Sequence, residues 1–202
     1  MDPKTGEVLS EEQFESAEAY LARERRLLFL KGPILGIPAR WDNFSVTAVH
    51  DAVVALNYED PTKPIYIVLD SPGGSIDTGW TLYDAIRLSK APVTTIGQSC
   101  GSMATVLLAA GKRRVVYPHA TVVLHLPQGE MQGDVEEMKI RAEQLERARD
   151  RIVDAYIECG AKRTREQIVK DIDREFWLDA EETIAYGLAD GVVTPDELFG
   201  ES

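Results

Sequence analysis

The chain has 202 residues, 44% of them apolar and 28% charged, with a formal net charge of −12. That length suits one sizeable core, the composition excludes a disordered chain, and the charge disfavours nucleic acid and anionic membranes. The acidic start lacks the basic-then-apolar order of a secretion signal, no apolar run approaches the ~20 residues of a membrane span, and Cys100 and Cys159 match no metal-ligand spacing. These features read as a cytoplasmic protein without metal or cofactor, whose partners are proteins, peptides or small molecules.

The first ten residues read as disordered. Residues 11–26 form a charged helical stretch, with Phe14, Ala17, Tyr20 and Leu21 at helical spacing. RLLFLKG (26–32) is a short strand closed by Gly32-Pro33, and ILGIPARWDNF is a loop. Residues 45–60 form a helix capped by Ser45. IYIVLD (65–70) is a continuous apolar strand of the kind buried on both faces. SPGGS breaks it, and residues 76–89 form an amphipathic helix. PVTTIG (92–97) is a strand, followed by an apolar helix over 102–110. This alternation predicts a mostly parallel sheet with helices packed on it.

Residues 112–127 add two short β runs around Pro118. A long helix follows, with Asp134 as its cap, Glu137 at the reciprocal capping-box position and Gly160 at its close. Met138, Leu145 and Ile152 recur every seven residues along it. A helix of ~25 residues is about 37 Å long, so part of it is expected to pack on something outside the domain. Residues 164–172 form another helix, EFWL a short apolar link, Asp179 caps a last helix ending near Gly187, and GVV is a final strand.

Active sites of parallel sheets lie at the carboxyl ends of the strands. Two such ends stand out, VLDSPGGSIDTGW and IGQSCGSMATV. Small residues there allow close backbone approach, and amides at a helix start stabilise negative charge. Together they form either an oxyanion site or two tight strand–helix turns. Ser99 sits in a literal G-x-S-x-G, the nucleophile elbow of α/β-hydrolases. That elbow places its histidine late in the chain, after the acid. The last histidine here is His125, and the Ser99 reading is weak on that ground. Among three histidines, His50 reads as helical and partly exposed and His119 as a solvated loop residue. His125 ends an apolar strand and is best placed to face a cleft.

DSPGGSIDTGWTLYDAI, SMATVLLAAG, PHATVVLHLPQG and AEETIAYGLADGVV together resemble the ClpP family of Clp protease proteolytic subunits. The similarity runs from about Arg25 to about Val193. It implies a ClpP/crotonase-like α/β fold, a mostly parallel sheet of repeated βα units with an extended helical handle. The organisation it implies is an N-terminal segment over 1–24, a peptidase domain over 25–194 and an acidic tail over 195–202. By resemblance, Ser102 is the nucleophile, His125 the general base and Glu175 the third member, with Asp171 and Asp173 as fallback carboxylates. The amides of Gly74 and Met103 form the oxyanion site, supported by Gly73. Residues 127–133 resemble the segment that pairs with substrate, and Asp173-Arg174 the pair that bridges stacked rings.

Three departures from the family pattern stand in the sequence. GQSCGSM is one residue longer than the family's G-Q-A-A-S-M, and anchoring on the helix predicts that the loop absorbs the extra residue at Gly101. Leu126 replaces a glutamine after the histidine, and Glu175 replaces an aspartate. The resemblance implies a serine endopeptidase subunit in two stacked heptameric rings of this chain, acting on proteins and peptides with a separate AAA+ ATPase. The alternatives are an inactive structural subunit of the same fold, a phage-type capsid maturation protease, and a crotonase-like acyl-CoA enzyme.

Overall fold

The computed structural model describes residues 20–35, 45–129 and 132–199. Residues 20–24 are helical. The rest of the expected N-terminal segment, residues 36–44 of the loop, and Glu130 and Met131 of the substrate-pairing segment lie outside the described residues.

Six strands form one sheet in the order β1-β2-β3-β4-β5, with β6 also paired to β4. β1 (Leu27–Lys31), β2 (Ile65–Ser71), β3 (Val93–Gly101) and β4 (Arg113–Leu124) run parallel. The connections between them are α1 (Val46–Glu59), α2 (Ile76–Leu88) and α3 (Met103–Ala110), the crossover helices that parallel strands require. Ser45 caps α1 by accepting from Ala48 N. Central strands alternate between two apolar layers. Ile65, Ile67 and Leu69 of β2 join the main core under the helices. Val68 faces a smaller layer with Leu27, Ile96 and Val115. All eight residues of α3 are buried, so its start is held rigidly against the sheet.

Three expectations are corrected. First, GQSCG is not a loop but the end of β3. Leu69 pairs with Gly97 and Asp70 with Ser99, leaving Gln98 unmatched, and the ladder to β4 skips the same residue. The strand takes up its extra residue as a bulge, which preserves pairing on both sides. Gly101 serves a close approach instead, since a Cβ there would lie 2.8 Å from the Pro72 carbonyl. Second, the two runs around Pro118 are one strand. Gly97 pairs with Val116 and Ser99 with Thr121, so residues 117–120 leave the ladder around a proline that has no N–H to give it. Third, the link EFWL is strand β5 (Phe176–Leu178), antiparallel to β4.

The long helix α4 (Val135–Glu158) carries the full capping box between Asp134 and Glu137, and Cys159 is its C-cap. Only Ile152, Val153, Ala155 and Tyr156, near its end, are buried. Val135, Met138 and Ile140 in its first half are exposed. α5 (Arg165–Asp171) and α6 (Ala180–Tyr186) begin at capping boxes on Thr164 and Asp179. β6 (Gly191–Val192) then pairs with β4. One more helix than expected, α7 (Pro195–Phe199), follows, and its Glu197 pairs with Arg113 of β4.

Candidate active site

A cleft of about 540 Å³ opens at the carboxyl ends of β2, β3 and β4. Ser102, Met103, Gly73, Gly74 and His125 all line it, together with Pro127, Ile152 and Tyr156. The topology gathers these residues. Gly101 pairs with Val123, and Ser102 N donates to Val123 O at 2.8 Å, so the end of β3 lies beside the end of β4. His125 follows β4 directly.

Ser102 occupies the turn between β3 and α3 with φ 52° and ψ −123°. Arg26 is the other non-glycine residue with positive φ among those described. Such a conformation costs about 1–3 kcal/mol and persists only where its surroundings enforce it. A serine at a helix start ordinarily folds its hydroxyl back onto the helix amides. Ser102 makes no such bond, and its hydroxyl is left to the cleft. The elbow geometry that the letters around Ser99 suggested is thus present three residues later. Ser99 itself is a strand residue paired with Asp70 and Thr121. Cys100 is buried, and burial pushes its thiol up to about 12, so it is no rival nucleophile.

The SPGG turn is packed hard against the serine. A Cβ on Gly73 (φ 91°) would meet Gly101 O at 2.4 Å, Ser102 Cβ at 2.7 Å and Met103 N at 2.9 Å. A Cβ on Gly74 (φ 143°) would meet Ile34 O at 2.2 Å. Ile34 N donates to Gly73 O and Ser75 N to Ile34 O, a bridge that does not use the Gly74 N–H. Met103 N is the first amide of α3 and has no acceptor within its helix. Among the described residues neither the Gly74 nor the Met103 amide donates to a backbone carbonyl, and both residues line the cleft.

His125 is half-buried, and its Nδ1 lies 2.7 Å from Leu126 O. A carbonyl only accepts, so Nδ1 is the donor in this bond, and Nε2 is the ring nitrogen left for another partner. No hydrogen bond joins Ser102 Oγ to His125 among the described residues. Glu175 does not line the cleft. It is exposed, and its carboxylate accepts from Trp177 Nε1 at 3.1 Å. Val122 pairs with Leu178, Val123 with Trp177 and Leu124 with Phe176, so the ladder ends one residue short of both His125 and Glu175. Of the fallback carboxylates, Asp171 accepts from Tyr186 OH at 3.1 Å, and exposed Asp173 pairs with Arg174 at 3.2 Å. Sequence reading did not single out Tyr156 or Thr105, whose hydroxyls meet beside the cleft at 2.5 Å. Both look like core residues in a one-dimensional pattern.

A strained serine at a strand–helix elbow, sharing one cleft with a histidine and with the backbone of a glycine turn and a helix start, fits a class, the serine hydrolases, here on a parallel α/β sheet. Comparison with known proteins narrows this. The family model described as Clp protease matches residues 17–196. The ATP-dependent Clp protease proteolytic subunit of Leuconostoc citreum (strain KM20) is 35% identical over 170 residues, 82% of this chain and 84% of that protein. Subunit 1 of the same protease from Chlamydia muridarum (strain MoPn / Nigg) is 37% identical over 144 residues, 68% of this chain and 74% of that protein. The chain belongs to the Clp protease family.

Proposed function

We propose that the chain is the peptidase subunit of a self-compartmentalised Clp-type protease, with Ser102 as nucleophile and His125 as general base. The observation that carries this reading is the positive-φ, uncapped Ser102 in one cleft with His125 and the Gly74 and Met103 amides. His125 Nε2 takes the Ser102 proton as Oγ attacks the peptide carbonyl. The two amides receive the oxyanion, and His125 returns the proton to the leaving amine. Water then hydrolyses the acyl-enzyme by the same base. Glu175 orients the imidazolium from across the β4–β5 ladder once its side chain turns from Trp177 to His125. Pro127 and Gln128 at the cleft rim belong to the segment that pairs with substrate as an added strand, which gives affinity with little side-chain selectivity.

The wider assembly is part of the same proposal. Copies of this chain stack as two seven-membered rings through the outer half of α4, and a separate AAA+ ATPase delivers unfolded substrate. Two exposed apolar surfaces support contact with other chains. One is Val135 and Met138, which share a face of α4, with exposed Ile140 on the opposite side. The other is a groove between α1 and α2 with Val54, Tyr58 and Leu88 exposed at it. A structural subunit without activity is the second reading, favoured by the bond of Glu175 to Trp177 rather than His125. Hydrolysis of a fluorogenic peptide separates the two. The wild-type chain cleaves it and Ser102→Ala lowers kcat by at least 10³-fold, roughly the effect of losing a triad serine. Equal rates in both contradict the proposed mechanism.

A further inference from the structure

The carbonyl oxygen of Ser102 is held by more than its helix. It accepts from Thr105 N at 3.0 Å and from Thr105 Oγ1 at 2.6 Å. Thr105 Oγ1 in turn lies 2.5 Å from Tyr156 OH. The proton directions follow from the groups themselves. A carbonyl only accepts, so the single hydroxyl proton of Thr105 goes to Ser102 O, and the phenol must donate to Thr105. Helical threonines often bond back to an earlier carbonyl. The phenol is the unusual part, because it arrives from α4, 51 residues away in sequence. Thr105 and Tyr156 are 0% and 2% exposed. Burial pushes the phenol far above its ordinary value, so it remains a donor at every working pH.

The Ser102 carbonyl and the Met103 N–H are two ends of one planar peptide unit. Whatever fixes the oxygen fixes the direction of the N–H. Hydrogen bonds that polarise the oxygen also make the N–H a stronger donor, and a chain of such bonds strengthens cooperatively. The same bonds brace the positive-φ conformation of Ser102. We propose that Thr105 and Tyr156 are positioning residues of the oxyanion site, acting through a relay from Tyr156 OH to Thr105 Oγ1 to Ser102 O that orients and polarises the Met103 amide. The proposal rests on the roles given above to Ser102 and Met103. It also joins α4, through Thr105, to the backbone of Ser102.

The test uses the full chain in its assembled form, with Tyr156→Phe, Thr105→Val and Thr105→Ser compared with wild type. Each is measured for kcat and KM on a fluorogenic peptide and for affinity to a peptide boronate, whose tetrahedral adduct on serine places an oxygen at the oxyanion site. Tyr156→Phe keeps the ring and its packing and removes only the donor. It lowers kcat and boronate affinity together, about threefold to tenfold, with KM unchanged. Thr105→Val lowers both further, and Thr105→Ser restores them. Wild-type kcat and boronate affinity in Tyr156→Phe and Thr105→Val overturn the relay. A change confined to KM also overturns it, because the phenol then touches substrate. If Ser102→Ala hydrolyses the peptide at the wild-type rate, the reading of the site falls and the relay with it. If Ser102→Ala is inactive and Tyr156→Phe is unaffected, the relay alone is wrong.

Discussion

At the scale of single residues, the site depends on where backbone is forced and which polar groups are left over. Ser102 has positive φ, and Gly73 lies so close to it that a Cβ there would meet Ser102 Cβ at 2.7 Å. Its hydroxyl is left over because the turn removes it from the helix cap. His125 is instructive in the opposite way. The Leu126 carbonyl already selects the tautomer with a free Nε2, a task the third member of a triad ordinarily performs. In the proposed mechanism Glu175 then has a narrower task than tautomer choice, namely stabilising the imidazolium as it forms. Glu175→Gln keeps the length and removes the charge, and it lowers kcat about 10- to 100-fold, less than the full effect of replacing a triad carboxylate. An unchanged kcat, measured on the same peptide, would leave the Leu126 carbonyl as the only orienting group.

At the scale of elements, Arg114 connects pieces that sequence reading saw separately. It stands on β4, and its guanidinium reaches the Cys159 carbonyl at the end of α4 and the Gly187 carbonyl at the end of α6. Its amide and side chain also hold Asp190 before β6. Burial would raise the Asp190 carboxyl, but the bonds from Arg114 outweigh it and hold it below its ordinary value. A carboxyl lowered in the folded state stabilises above its unfolded value, about 3.9. That stability is lost as pH falls through the folded value. Arg114→Ala accordingly destabilises by about 2 kcal/mol at pH 7. In Asp190→Asn the loss of stability as pH falls below about 3.9 is shallower than in wild type. Chemical denaturation at several pH values checks both.

Much of the layered sheet was legible because its determinants are local. The run IYIVLD, the caps Ser45, Asp134 and Asp179, and Gly160 each act within a few residues. The missed features are those set by distant partners. EFWL becomes a strand only because the end of β4 is there to pair with it. The bulge at Gln98 is visible only when both neighbouring strands fix the register. Helix register placed Ser102 at the start of the apolar helix, where the structure has it, while the alliance of Thr105 with Tyr156 links two helices that no sequence window contains.

At the scale of the whole molecule, charge and exposed apolar surface oppose each other. Each copy carries a net charge of −12, and copies repel at low ionic strength. The outer half of α4 offers Val135 and Met138 to a neighbour. Salt screens the repulsion and leaves the apolar contact intact, so the assembled fraction rises between about 0.02 and 0.2 M salt, as sedimentation velocity would show. Assembly that weakens with salt would place the contact on ion pairs instead. The central claim is that Ser102, not Ser99, is the nucleophile. A fluorophosphonate probe applied to the assembled protein, followed by peptide mapping, tests it most directly. The account predicts one covalent adduct, on Ser102, forming as peptidase activity disappears. An adduct on Ser99, or loss of activity with Ser102 unmodified, would contradict it.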